Sequence, residues 1–307
     1  MTQRSDPTVA PGTSPPAPAS APAGGAGVPG AVPDLPAGIR GTDPEAPLQF
    51  TPADVAAASA LLERAGAGGP EPAVTLSDEQ IAALDGYARR QFVAAPWLEE
   101  HPEQRAFAAG VALRSLIAAE QIRFAPGPDG GGAQWQAAPE IASALVLRRT
   151  ARVFTTAERT VQTDHGPQVH RLHCYAHAAG VLEEEVTAVG LHRFTALSPT
   201  RAGDRLAAFV DPLGVGGAGG DPVLVRSSAL AAHPIAQRLA ATRALSVLTL
   251  VRTDQGGVQQ LSVHATAEGV LTMEALDPGS EDPRLEVRSV DAAELRALAS
   301  VLVGDAA

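Results

Sequence analysis

RLHCYAHAAGVLEEE at residues 171–185 and QLSVHATAEGVLTME at residues 260–274 decide the fold, because they are one text written twice. Setting Gly180 on Gly269 pairs Leu172 with Leu261, Ala176 with Ala265, Ala178 with Ala267, Val181 with Val270, Leu182 with Leu271 and Glu185 with Glu274. Within each copy the apolar residues recur with period two, and an X-Gly pair at the centre suits a tight turn between antiparallel strands.

The likeness continues on both sides. VFTTA precedes the first copy and LSVLTLV the second, with a polar, Gly-containing turn between, DHGP or DQGG. Downstream, HRFTALSPTRAGDRLAAFV answers RLEVRSVDAAELRALASVLV. Ser198 and Pro199 open a helix in one, and the Asp291/Glu294 spacing opens a helix in the other. Order, spacing and caps agree, so residues 150–210 and 245–303 each read as a strand–strand–strand–helix unit, LHRFTAL adding a further strand in the first. The expectation is an α+β fold: duplicated antiparallel sheet-helix units related by a pseudo-twofold axis.

A helical, winged-helix-like segment precedes the repeat. In FTPADVAAASALLERAG, Thr51 caps a helix, Pro52 takes its first position and Asp54 suits its positive end, with a stop at the Gly/Pro run of residues 66–70. LSDEQIAALDGYARRQF starts on the capping-box pair Ser77 and Gln80 and is expected to run on until Pro96 closes it. HPEQRAFAAGVALRSLIAAEQI makes a third helix, with Phe107, Val111 and Arg114 on one stripe. RFAPGPDGGGAQWQ reads as a turn between two short apolar pieces, and Pro139 starts PEIASALVLRR. Between the two repeat units lies DPLGVGGAGGDP, read as a flexible tongue, then a short strand and a helix. The expected organisation is a disordered Ala/Pro/Gly-rich leader at 1–47 and a single α+β domain at 48–307. That domain divides into a helical segment at 48–150, repeat one at 151–210, an insertion at 211–244 and repeat two at 245–303.

A net charge of −11 and a pI near 5.2 speak against general binding to nucleic acid or anionic membranes, which needs a basic footprint. All 23 basic residues are Arg; with no Lys, a P-loop or Schiff-base lysine is excluded. Cys174 is the single cysteine, so intrachain disulfides and CxxC zinc sites are excluded too. The N-terminus has no apolar run of signal-peptide length and no apolar cluster could span a bilayer, which suits a cytoplasmic protein without membrane insertion.

The metal-like candidates are His170, His173 and His177, with His192 and the glutamates at 183–185 nearby. His173 and His177 share a strand face, and His192 could lie across the hairpin. The second copy has Ser262 and Thr266 in place of His173 and His177, so a half-exposed polar sheet face is favoured over a metal site. GVGGAGG lacks the strand–loop–helix setting of a phosphate loop, and no serine has a GxSxG elbow. Glu185 and Glu274 are repeat equivalents, which favours solvation or an Arg partner over paired-acid catalysis. Trp97, Trp135, Phe107 and Phe124 are expected in the core, and Cys174 as an inert buried thiol. The reading is of a binding protein, not an enzyme, without cofactor.

Taken together, FTPADVAAASALLERAG, AGVALRSLIAAEQI, PEIASALVLRRTARVFTT and the closing SVDAAELRALASVLV resemble the EspG family, the cytosolic chaperones of actinobacterial type VII secretion, over residues 50–303. The last hairpin keeps the Thr and Gly of a T-x-x-G-R-like turn as Thr266 and Gly269, with Val270 in place of the Arg. The resemblance implies a duplicated α+β core and a helical secreted partner of PE/PPE-like or WXG-like type. Within the chain, region 211–245, where the repeat is interrupted, is the favoured contact. Two alternatives follow from the residues. One is a winged-helix regulator using Arg89, Arg90, Arg105, Arg114 and Arg123; the other is a metal-dependent enzyme using His173, His177 and His192.

Overall fold

The computed structural model describes residues 50–88, 93–125, 134–252 and 257–304. The leader at 1–47, Arg89, Arg90 and part of the DQGG turn lie outside the described residues. The chain is α+β, built on one ten-stranded antiparallel sheet. The first repeat comprises β4 (Val153–Thr163), β5 (Gly166–His177), β6 (Gly180–Val186), β7 (Leu191–Leu197) and helix α6 (Pro199–Val210). The second comprises β9 (Ala244–Arg252), β10 (Gly257–Ala265), β11 (Val270–Ala275), β12 (Arg284–Val290) and α8 (Ala292–Gly304). Each unit therefore carries four strands before its helix, LHRFTAL supplying the fourth in the first and RLEVRSV in the second.

The registers of the two copies coincide. Ala176 lies opposite Val181 and Cys174 opposite Glu183 in one hairpin, as Ala265 lies opposite Val270 and Val263 opposite Thr272 in the other. The halves join edge to edge through β4 and β9, antiparallel, with Val153 opposite Arg252 and Val161 opposite Ala244. Each edge of the sheet is then extended by a further strand, β1 (Glu71–Ser77) on β7 and β8 (Val223–Arg226) on β12. The interruption at 211–244 thus supplies the counterpart of β1, and the pseudo-symmetry extends through it.

Alternation sorts the strands onto two faces. On one, α6 and α8 pack against each other and over Val153, Ala157, Leu172, Leu248, Leu250 and Val263. Their packing is close because residue 203 is Gly: a Cβ there would lie 2.6 Å from Ser300 Oγ and 3.1 Å from its Cα. Asp291 and Glu294 cap α8 reciprocally, Glu294 N–H to Asp291 Oδ1 at 2.8 Å and Asp291 N–H to Glu294 Oε2 at 2.9 Å.

The opposite face is covered unevenly. Over β1 and β5–β7 lies a helical layer of α1 (Pro52–Gly68), α2 (Asp78–Asp85), α4 (Arg105–Ala118) and α5 (Pro139–Thr150), whose apolar residues form one core with Tyr175, Leu182 and Phe194. Capping boxes at Thr51/Asp54 and Ser77/Gln80 open α1 and α2. Helix α2 is shorter than its sequence pattern: Gly86, at φ 92°, ends it after Asp85. Pro96 opens a short helix, α3 (Pro96–Glu100), instead of closing a long one. The hairpin of β2 (Ile122–Ala125) and β3 (Gln134–Ala137) joins α4 to α5. Over the second half of this face, Leu271 and Val287 are covered by α7 (Ile235–Ala240) and the turn of helix at Ser227–Ala232 through Ile235, Leu230 and Leu239.

Candidate functional site

The chemically richest place in the chain is buried between α2, α5 and the sheet. Asp78, the first residue of α2, accepts the N–H groups of Trp97 at 2.7 Å and Leu98 at 3.3 Å through Oδ2, holding α3 in place. Its Oδ1 is 2.5 Å from His192 Nε2 on β7, whose Nδ1 is 2.5 Å from Glu184 Oε1 on β6. Glu184 Oε2 accepts from Arg148 Nε at 3.0 Å and from the Tyr175 hydroxyl. Arg148 also faces Asp85 at 3.5 Å, and Asp85 pairs with Arg149. Charge alternates along the chain Asp78, His192, Glu184, Arg148, Asp85, Arg149.

Both ring nitrogens of His192 face carboxylates, which suits the imidazolium, a donor at both positions. Burial opposes that charge, but the hydrogen bonds to Asp78 and Glu184 outweigh it and hold the pKa above the ordinary value. Burial would also raise Glu184; Arg148 and His192 overcome it and keep this carboxylate ionised well below its usual range. Such a matched, desolvated network fixes geometry: removing one member strands the others, whereas the intact set holds α2, α3 and α5 in register on the sheet.

The histidine reading resolves differently from its expectation. His192 is not across the hairpin from His173, since β6 lies between β5 and β7. Each histidine is engaged separately. His177 Nε2 lies 3.0 Å from the Leu147 carbonyl, and His192 is held by its two acids. His173 is buried against Phe154, ring centroids 5.9 Å apart, with neither nitrogen hydrogen-bonded. Burial, only partly offset by Glu184, pushes the His173 pKa down to about 4, so the ring is neutral. Among the described residues no group of three or more His, Cys, Asp or Glu is arranged to hold a metal ion.

Glu185 pairs with Arg205 at 3.4 Å, while Glu274, at the equivalent register position, lies opposite Glu286 and is exposed. The Cys174 thiol is buried, which raises its pKa.

The glycine tongue is pinned, not loose. Asp211 accepts N–H bonds from Val215 at 3.1 Å and Gly216 at 2.9 Å, and Gly220 N–H bonds to the Ser289 carbonyl at 3.1 Å. A Cβ on Gly216 would come within 3.0 Å of the Ala292 nitrogen, and one on Gly219 within 2.5 Å of the Glu294 carboxylate. The glycines let this segment cross the start of α8, and Asp211 occupies the amides that a phosphate would need.

An open surface appears where the helical layer stops. On the face opposite α6 and α8, β9 presents Leu245, Val247, Thr249 and Val251, all partly exposed. Beside them lie Thr156 and Glu158 of β4 and Val258 and Ser262 of β10, aligned by register. Val258 is 67 % exposed. The border toward α7 is polar: His264 lies 3.0 Å from Thr242 Oγ1 and 3.1 Å from Ser262 Oγ. The strip lies on the strands just beyond region 211–245, flanked by α7. Its trace in the sequence is the half-apolar alternation LSVLTLV.

Two aromatic expectations are corrected. Trp97 and Trp135 pack against the core, but Phe107 is 74 % exposed and Phe124 41 %. The stripe Phe107, Val111, Arg114 is the outward face of α4, whose inward face uses Ala109, Ala112, Leu113 and Leu116. This also weakens the winged-helix reading: α5 is buried along Ile141 to Arg148, and α4 offers outward one arginine, Arg114, among small and apolar residues. Arg105, half-buried, donates to the Tyr87 carbonyl at 2.8 Å. No helix is long and apolar enough to cross a membrane among the described residues.

No protein-family model matches the chain. No curated protein matches it either. Among solved structures it is similar to the Mycobacterium tuberculosis type VII secretion system chaperone EspG5, seen in complex with a PE25-PPE41 dimer: 8 % identity, 76 % of this chain and 95 % of that chain covered, TM-score 0.47.

Proposed function

We propose that the chain is a non-catalytic binding protein, an EspG-like chaperone that receives a helical segment of a secreted PE/PPE-like or WXG-like partner on the open strip of its sheet. The observation that supports this reading is a gap in the cover of one face of the sheet, along the junction of its two halves. Over β5–β7 the face is closed by the helical layer and over β11 and β12 by α7; between them β9 and β10 keep Leu245, Val247, Val251 and Val258 partly exposed. An amphipathic helix laid there would do for the middle of the sheet what α1 and α5 do for β5–β7. The region 211–245 flanks this seat through α7, and the sequence resemblance supplies the class of partner. At about 25 cal/mol per Å2 of apolar surface, covering four such aliphatic side chains contributes a few kcal/mol toward association, set against the cost of holding the two partners together.

The test is titration calorimetry of the purified protein with a PE–PPE pair or WXG-type hairpin from the same genome. A saturable complex that Val247→Arg weakens at least tenfold, with unchanged circular dichroism, supports the reading. No binding to any such protein, or binding indifferent to Val247→Arg, overturns it.

A further inference from the structure

Helix α4 contains an unexplained cost. Gly110 sits in mid-helix, where Gly is worth about 1 kcal/mol less than Ala, and among the described residues nothing lies within 4 Å of where its Cβ would be. Packing inside the molecule does not require it. Around it the outward face is Ala106, Phe107, Val111, Arg114, Ser115 and Ala118, all exposed, with Phe107 74 % and Val111 42 % accessible. An exposed Phe one turn from a bare helix backbone is the form of a helix-docking surface, because a small residue at the crossing lets two axes approach to the short end of their range.

We propose that this face binds a second copy of the chain, α4 against α4, antiparallel, with the twofold axis at Gly110. Two features select that occupant. First, the chain carries a net charge of −11, yet α4 from Arg105 to Ala118 has no acidic residue and exposed Glu103 stands one turn before Phe107, outside the crossing at Gly110, so two such molecules can meet here without juxtaposing like charges. Second, the patch is self-complementary. Its one charge, Arg114, lies four residues after Gly110 and its one aromatic ring, Phe107, three before. Reversing the helix about Gly110 therefore brings Arg114 of each copy to Phe107 of the other, a cation–π pair repeated by the twofold. Val111 then fills the space beside the facing Gly110. One pair of four-turn helices covers less surface than a standard permanent interface, so the association is weak, in the micromolar range or above. It uses a different element from the sheet strip and stands or falls separately.

Sedimentation velocity over a concentration series, on the full chain, tests this. The expected result is a reversible monomer–dimer equilibrium. Phe107→Glu, at an exposed site, should weaken it at least tenfold with an unchanged fold. Gly110→Leu gives the sharper reading: it should weaken dimerisation at least tenfold while raising the thermal midpoint, because the better helix former stabilises the monomer. A monomer at all concentrations up to the millimolar range overturns the proposal. So does a dimer that both substitutions leave intact.

Discussion

Ala157 on β4 lies directly opposite Leu248 on β9, and the two are each other's counterparts in the repeat. The first faces Leu172 on β5 as the second faces Leu261 on β10. The pseudo-twofold axis of the sheet therefore passes between them. Both are buried under α6 and α8, a small side chain beside a large one. Leu248→Ala should cost about 2–5 kcal/mol by opening a cavity, and Ala157→Leu about 1–3 kcal/mol by overfilling. The exchange Ala157→Leu with Leu248→Ala restores the summed volume at the axis and should recover part of both losses. Urea denaturation of the four proteins checks this; strict additivity would show that the two sites do not share one space.

Stability should fall on both sides of neutrality, for different reasons. His192 has a raised folded pKa, so its contribution is complete below its unfolded value near 6.5 and is lost as pH rises through the folded one. His173 has a lowered folded pKa, about 4, so the unfolded chain binds the extra proton first. Its contribution is lost as pH falls from about 6.5 to about 4, on the order of 3 kcal/mol. Replacing His173 by Phe should flatten the acid side and leave the alkaline side in place. Thermal midpoints from pH 4 to 9 measure this, and an unchanged acid limb in the variant would refute it.

Breaking the ion chain at one end should cost more than a surface pair does. Asp78→Ala strands the His192 charge and two N–H groups of α3, so a loss of about 3–5 kcal/mol is expected, together with faster hydrogen exchange at Trp97 and Leu98. Arg64→Ala, which breaks the exposed pair with Glu71, should cost less than 1 kcal/mol.

Gly203→Ala has two opposing effects whose sum the structure decides. Helix propensity favours Ala by about 1 kcal/mol, but the new Cβ meets the Ser300 backbone at 3.1 Å. Net destabilisation is expected, with part of it relieved by Ser300→Gly. A stabilised Gly203→Ala would mean that α6 and α8 can separate freely.

The tongue at 211–222 should resist proteinase K in the native protein and become a cleavage site in Asp211→Ala, which removes the acceptor of two amides. Cleavage there at equal rates in both proteins would refute the pinning.

How far the sequence carried this molecule depends on range. The duplication was legible because Gly180 and Gly269 anchor hairpins whose neighbours keep a period of two, all of it within fifteen-residue windows. Caps at Thr51, Ser77, Ser198 and Asp291 were legible for the same reason, since each acts over three residues. The ion chain was not: Asp78 and His192 meet across more than a hundred residues, and nothing local to either names the other. The adjacency of His173 and His177 in sequence suggested a cluster that three-dimensional packing dissolves. Strand β8 has only four residues and β1 carries no strong alternation; their place is set by the sheet edges that they complete.

The union of β4 with β9 has a consequence for synthesis. During translation β4 finds β5 at once, but its other edge stays unpaired until some eighty further residues have left the ribosome, several seconds at ordinary elongation rates. In that interval the nascent half exposes a strand whose intended neighbour is its own counterpart in the repeat, an invitation to pair with the same strand of another nascent chain. Duplication thus gives the finished sheet its symmetry, and it also makes the half-made chain its own most plausible wrong partner.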